Sequence, residues 1–250
     1  MAQKHSPIAV FDSGLGGISV LRELVKLMPG ERYLYFGDTA NAPYGDRTTE
    51  NVRQLTLNAA QMLFDRDAKA LVVACNTATA AAIETLRATW PDKIIIGIEP
   101  AVKLAVDHCT GRIGIMATAV TLREEKLANL VHRFADREFF PVGAPGLVPL
   151  IEAGATDEQL EEYLRPILEP YKGNVDALVL GCTHYPFAGA AIARILPGIK
   201  LLDGGAGTAR QTRRLLEQAA LLAEGHGEIQ IESSAAAPDF ARRAMALLEE

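Results

Sequence analysis

Short apolar runs, many of them β-branched, recur along the chain. Between them lie stretches whose apolar residues return every three or four positions. The runs predict strands at 8–12, 33–36, 70–75, 94–98, 112–116, 138–142, 177–182, 200–203 and 228–231. The stretch 48–66 sets Val52, Leu55, Ala59, Met62 and Leu63 on one helical face. Helices are expected in the same way at 121–133, 157–168 and 205–223. Strands alternating with helices predict an α/β protein with mainly parallel sheets. In such sheets ligands bind outside the carboxyl ends of the strands. Asp12, Asp38, Cys75, Cys182 and Asp203 all stand at that end of an apolar run.

The pattern also repeats. "ALVVACNTATAAA" and "ALVLGCTHYPFAGAA" both read as strand, cysteine, polar turn and helix. "IAVFDSGLGG" and "IGIMATAVT" match more loosely. Two related lobes, each giving one cysteine to a shared cleft, account for the echo; a chance likeness between two α/β units is the other reading. The expected division is 1–97 with 208–250, carrying Asp12 and Cys75, and 98–207, carrying Glu152, Cys182 and His184. A boundary near Gly97–Pro100 suits the proline at which the strand residues give way.

Composition narrows the function classes. A net charge of −6 and the lack of any basic run argue against nucleic-acid binding. No apolar run approaches the ~20 residues of a membrane span, and the N-terminal residues lack a signal-peptide pattern. A cytoplasmic protein is expected. Three cysteines, an odd number without C-x-x-C, do not suggest a disulfide framework or a thioredoxin-like motif. Cys182 and His184 have no second Cys/His pair at ligand spacing, so no metal is expected. None of the eight lysines ends a strand as the cysteines do, which argues against a pyridoxal phosphate Schiff base.

The cysteines carry the strongest chemical signal. Cys75 precedes Asn76 and Thr77 and opens a helix through 78–87. A thiol at a helix N-terminus is biased toward thiolate. A free cysteine is more commonly a small buried hydrophobe, but two strand-terminal cysteines with matching polar sequels favour chemistry. Cys182 has His184 close enough to exchange a proton. "DSGLGG", from Asp12, is a glycine-rich turn into a helix; it lacks the last glycine of G-x-G-x-x-G and the Gly-Lys of a P-loop. Its backbone N–H groups suit a small anion or no ligand at all. "NAPYGDR" reads as an exposed loop offering the Tyr44 hydroxyl, and Glu152 as a solvated helix end. Cys109 and His108 receive no role.

Taken in order, "FDSGLGGISVLREL", "YFGDTANAPYGDRT", "VVACNTATA", "VPLIEAG" and "VLGCTHYPF" resemble the successive motifs of the glutamate racemase family, within the aspartate/glutamate racemases. The resemblance spans most of the chain. It implies two Rossmann-like α/β lobes related by a pseudo-twofold axis, with the active site between them. It implies cofactor-independent interconversion of L- and D-glutamate, supplying D-glutamate for peptidoglycan, and a homodimer. Cys75 corresponds to the base acting on D-glutamate and Cys182 to the base acting on L-glutamate. Asp12 corresponds to the assistant of the first thiol, and Glu152 and His184 to those of the second. Asp12, Ser13, Tyr44, Gly45, Asn76, Thr77, Thr183 and His184 correspond to the substrate-binding positions. Asp12 comes early, so the N-terminal extension of precursor-activated members is expected to be missing. "LDGGAGTA" matches less well, and Asp203 stays unassigned. The rival readings are a racemase of aspartate or another amino acid, a one-cysteine decarboxylase, a thiol hydrolase built on Cys182 and His184, and a two-lobed binding protein.

Overall fold

The computed structural model describes residues 3–118, 121–122, 125–236 and 238–249. Along the chain run β1 (Ile8–Asp12), α1 (Ile18–Leu27), β2 (Arg32–Gly37), α2 (Thr49–Asp65), β3 (Ala70–Val73), α3 (Asn76–Thr89) and β4 (Ile94–Gly97). There follow α4 (Val102–His108), β5 (Ile113–Ala117), α5 (Glu125–His132), β6 (Phe139–Gly143), α6 (Leu147–Glu152), α7 (Asp157–Leu168), β7 (Ala177–Leu180), α8 (Gly189–Ile195) and β8 (Lys200–Leu202). The chain closes with α9 (Gly205–Gln218), β9 (Glu228–Ser233) and α10 (Phe240–Glu249). It divides into two compact units, Met1–Glu99 with Gly205–Glu250, and Pro100–Gly204.

The first unit is built on a sheet of order β4-β3-β1-β2-β9 and the second on β6-β5-β7-β8. Every strand pairing is parallel. β1, β3, β5 and β7 are buried along their whole length. This is why they read as unbroken apolar runs rather than as alternating ones. In the first unit Phe11, Leu71, Val73, Ala78, Ile83 and Leu86 belong to one core. In the second, Val142, Leu164, Leu178 and Ile192 do the same. No helix among the described residues is long and apolar enough to cross a membrane.

The two sheets share a topology. In each, the first strand (β1, β5) is flanked by the second (β2, β6) on one side and the third (β3, β7) on the other, with the fourth (β4, β8) beyond the third. The sequence echoes fall at these equivalent places. The ladders even end alike: Ala74 N–H donates to Phe11 O at 2.8 Å, and Gly181 N–H to Met116 O at 2.7 Å. In both units the cysteine is the next residue after that bond.

Several elements differ from the pattern-based expectation. β3 and β7 stop two residues before their cysteines. The apolar character runs on because Cys75 has left the ladder to cap α3. The helix expected over 205–223 ends at Gln218. Ala220 turns left-handed there (φ 55), while Leu221 N–H reaches Leu216 O and Ala220 N–H reaches Glu217 O, a Schellman-type stop. Of the helix expected over 121–133, Glu125–His132 is observed, and residues 123 and 124 lie outside the described residues.

At the amino ends of β1, β2 and β3 lies a buried ion pair, Lys69 Nζ to Glu31 Oε2 at 2.5 Å. Lys69 also donates to Lys4 O and Leu221 O, and Glu31 Oε1 accepts from Ala223 N–H. The pair ties the segments entering β1 and β9 to the bottom of the sheet.

Candidate active site

The first unit presents Cys75 at the carboxyl end of β3. Cys75 is the N-cap of α3, and its Sγ accepts from Ala78 N–H at 3.4 Å. A sulfur that receives a helix-terminal N–H is favoured as thiolate. Ser13 Oγ stands 3.8 Å from the same sulfur. Ser13 follows Asp12, a carboxylate with no exposed surface, whose Oδ1 accepts from Gly14 N–H at 2.9 Å. The turn after β1 is tight for a reason found at Gly17. A Cβ there would lie 2.6 Å from Asp12 Cβ and 2.9 Å from Tyr35 Oη, and Tyr35 itself donates to Gly14 O at 2.6 Å.

Asn76 and Thr77, in the first turn of α3, are buried beside Cys75. The Asn76 Oδ1 atom has no hydrogen-bond partner. A buried amide oxygen left unpaired is costly, on the order of 1–3 kcal/mol, and such an acceptor suits a ligand donor.

Tyr44 corrects the expectation of a hydroxyl on an exposed loop. It is buried, packs on Phe11 with ring centroids 6.3 Å apart, and donates its hydroxyl to Asp38 Oδ2 at 2.7 Å. Burial pushes the phenol well above its usual range, and Asp38, Cys75 and Asp12 add to this as negative neighbours. Tyr44 therefore works as a neutral donor beside the thiol. Gly45 follows it in a short 3-10 turn. Asp38 was legible only as one more acid ending an apolar run; its partners become visible in the fold.

In the second unit, Cys182 follows β7 and is buried, as are Thr183 and His184. Its surroundings differ from those of Cys75. The chain enters a single 3-10 turn, Tyr185–Ala188, before α8 begins at Gly189. Cys182 thus lacks the α-helix N-terminus that Cys75 caps, and a histidine stands there instead. Cys182 Sγ lies 3.9 Å from His184 Nδ1, and His184 Nε2 lies 2.6 Å from Glu152 Oε1. An ionised carboxylate only accepts, so Nε2 carries a proton and a neutral ring presents its Nδ1 lone pair to the sulfur. Glu152 ends α6, and Gly154 with φ 79 turns the chain away just beyond it. The helix end read as solvated is the half-buried partner of a buried histidine, with 26% of the Glu152 side chain exposed. Tyr185 stays protonated, its phenol raised by burial and by the Cys182 and Tyr163 charges.

Each expected site residue thus stands with others of its own unit: Asp12, Ser13, Tyr44, Gly45, Asn76 and Thr77 with Cys75, and Glu152, Thr183 and His184 with Cys182. Among the described residues no cluster of three or more His, Cys, Asp or Glu side chains is arranged to hold a metal ion.

Comparison with known proteins places the chain in a family. Residues 8–212 match the family model of Asp/Glu/Hydantoin racemases. A glutamate racemase of Clostridium kluyveri is 50% identical over 221 residues, covering 86% of each chain. The structure of glutamate racemase from Thermus thermophilus in complex with beta-chloro-D-alanine superposes with a TM-score of 0.84 at 36% identity, covering 99% of this chain and 94% of that one. That of Francisella tularensis in complex with D-glutamate gives 0.86 at 28% identity, covering 99% and 95%. A matching family model over most of the length, together with half-identity to a relative across nearly nine-tenths of it, establishes that the chain belongs to the Asp/Glu/Hydantoin racemase family.

Proposed function

We propose that the protein is a cofactor-independent glutamate racemase that works by two bases, Cys75 and Cys182. The observation that carries this reading is the equivalence of the two cysteines. Each follows the third strand of a topologically matched parallel sheet, one residue past the last ladder bond. A reaction that inverts Cα needs a proton taken from one face and another delivered to the opposite face. Two monoprotic thiols, one entering as thiolate and the other as thiol, meet that need.

In the direction from D-glutamate, Cys75 removes the Cα proton as its thiolate, favoured by the Ala78 N–H and the α3 dipole. Asp12, on the turn beside it, assists by accepting or returning the thiol proton. Charge that develops on the substrate carboxylate is met by backbone donors at the start of α3 and in the turn after Asp12. The unpaired Asn76 Oδ1 accepts from the substrate ammonium. Cys182 supplies the second proton. In the reverse direction His184 Nδ1 draws the proton from Cys182, and Glu152 holds the ring in the required tautomer and stabilises the imidazolium. The two helpers differ because the two thiols do: one has a helix N-terminus and the other does not. Supply of D-glutamate for peptidoglycan, a cytoplasmic site of action and a homodimer complete the reading.

The test is racemisation in deuterated water with chelator present and no added cofactor. From protiated D-glutamate, the first L-glutamate formed carries deuterium at Cα while recovered D-glutamate stays protiated. Early L-glutamate that keeps its protium refutes the two-base scheme. Faster turnover of L-aspartate than of L-glutamate refutes the substrate. Cys182→Ala is expected to abolish inversion yet still exchange the Cα hydrogen of D-glutamate, and Cys75→Ala to do the converse with L-glutamate.

A further inference from the structure

Three hydrogen bonds converge on the carboxylate of Asp38, the residue that follows β2 and is only 5% exposed. Tyr44 Oη donates to Oδ2 at 2.7 Å, and Asn41 Nδ2 donates to both oxygens at 3.1 Å. The Asp38 backbone joins in: its N–H donates to Asp12 O at 2.9 Å and its C=O accepts from Asn41 N–H at 3.1 Å. One residue therefore links the end of β1, where Asp12 sits, to both ends of the segment 41–44.

The rest of that segment has few other anchors. Ala42 and Pro43 are exposed and Gly45 is half-buried. Arg47 Nε donates to Asn41 O at 2.6 Å and its Nη1 to Asn51 Oδ1 of α2 at 2.9 Å, which ties the loop to itself and to that helix rather than to the sheet. The Tyr44 ring is buried in the core of the first unit and packs on Phe11. The hydroxyl–carboxylate bond ties its polar end to Asp38. It also uses the phenol proton, so that Tyr44 enters the site in one defined orientation.

We infer that Asp38 is a positioning residue, which holds Tyr44 and Asn41 and thereby sets the backbone of Tyr44 and Gly45 for binding substrate. The inference rests on the proposed use of Tyr44 and Gly45 as glutamate-binding positions. A residue of this kind preorganises ground state and transition state alike. Its loss raises KM and leaves kcat nearly intact.

Five proteins test it: wild type, Asp38→Ala, Asp38→Asn, Tyr44→Phe and the Asp38→Ala/Tyr44→Phe double variant. Amide hydrogen exchange over residues 39–47 reads the anchoring without reference to activity. Steady-state racemisation of D- and L-glutamate reads its use. Asp38→Ala is expected to speed exchange in this segment and to raise KM roughly ten-fold or more with kcat within about three-fold. Asp38→Asn keeps an oxygen for the Tyr44 hydroxyl and is expected to restore most of the binding. Tyr44→Phe added to Asp38→Ala should cost less than about two-fold more, because the shared bond is already gone.

Unchanged exchange in Asp38→Ala overturns the inference. So does loosened exchange with KM unaltered, or a fall in kcat alone, which would make Asp38 part of proton transfer. Should Asp38→Ala not fold, Tyr44→Phe alone must raise KM by a comparable factor, and a normal KM there overturns the inference. A wild type that does not racemise glutamate refutes the proposed function instead, and the exchange data still report whether Asp38 anchors the loop.

Discussion

Replacing Glu152 by Gln removes a charge and almost no volume. The His184 Nε2 to Glu152 Oε1 distance of 2.6 Å is short, as expected of a charge-assisted bond. Such bonds contribute about 1.5–3 kcal/mol, against about 0.5–1.5 kcal/mol for neutral ones. The amide oxygen of Gln still accepts from Nε2–H, so the tautomer survives. What is lost is the difference, about 1–1.5 kcal/mol, felt most where His184 carries the proton taken from Cys182. At 1.36 kcal/mol per decade this predicts a fall in kcat/KM of roughly 5- to 15-fold. With about a quarter of the Glu152 side chain exposed to screening water, the lower end is expected. The assay is polarimetric turnover of each enantiomer. Since D- and L-glutamate have equal free energy in water, kcat/KM must fall equally in both directions, and only its division between kcat and KM differs. A loss below about two-fold would mean that the Glu152 charge does not act on His184, and a loss above about a thousand-fold would make Glu152 itself a proton carrier.

Other consequences can be checked with simple variants. Gly17→Ala should fold yet lose most activity, because its Cβ would press on Asp12 Cβ and Tyr35 Oη; unchanged kcat/KM would show that the Asp12 turn yields freely. Lys69→Met should lower the unfolding free energy by about 3–5 kcal/mol in a urea titration, since it leaves Glu31 buried and short of its main partner, while kcat of the folded fraction stays near wild type; a loss under about 1 kcal/mol would contradict this. Tyr33, Tyr44 and Tyr185 all have phenols raised from the ordinary value of 10.0. Their contribution to stability is intact below pH 10 and is lost as pH rises further, because only the unfolded chain ionises there. Ultraviolet titration should therefore find at least three of the six tyrosines silent until alkaline unfolding; titration of all six in the folded protein would refute it.

What could be read in the sequence follows from the physics of parallel sheets. Strands covered on both faces are continuous apolar runs, so β1, β3, β5 and β7 announce themselves. The place where a ladder stops does not, because Ala74 and Cys75 remain as apolar as the strand they have left. Cys75 was legible as a helix opener, since small hydrogen-bonding residues follow it. For Cys182 a polar turn was legible before the helix; that it takes the form of a 3-10 turn through Pro186, with the α-helix starting only at Gly189, was not. The Glu152–His184 pair joins residues far apart in sequence, and nothing near Glu152 distinguishes it from a solvated helix end. Asp38 and Tyr44 are close in the chain, but "GDTANAPYG" looks like a surface loop until Phe11 is seen beneath the ring.

The shared topology of the two sheets has a consequence for how the gene was assembled. A duplicated half, fused tail to head, would leave each unit a continuous stretch of chain. Here the second unit, Pro100–Gly204, interrupts the first, whose edge strand β9 returns to pair with β2 only after α9. A single nick between residues 99 and 100 would thus leave the second unit whole but the first unit complete in neither fragment. The amino-terminal fragment lacks β9, α9 and α10, and the carboxyl-terminal one carries them with no sheet of their own to join. Two separately expressed fragments cut there would have to complement each other to complete the first sheet, whereas excising 100–204 and splicing the ends would leave its full strand set in one polypeptide.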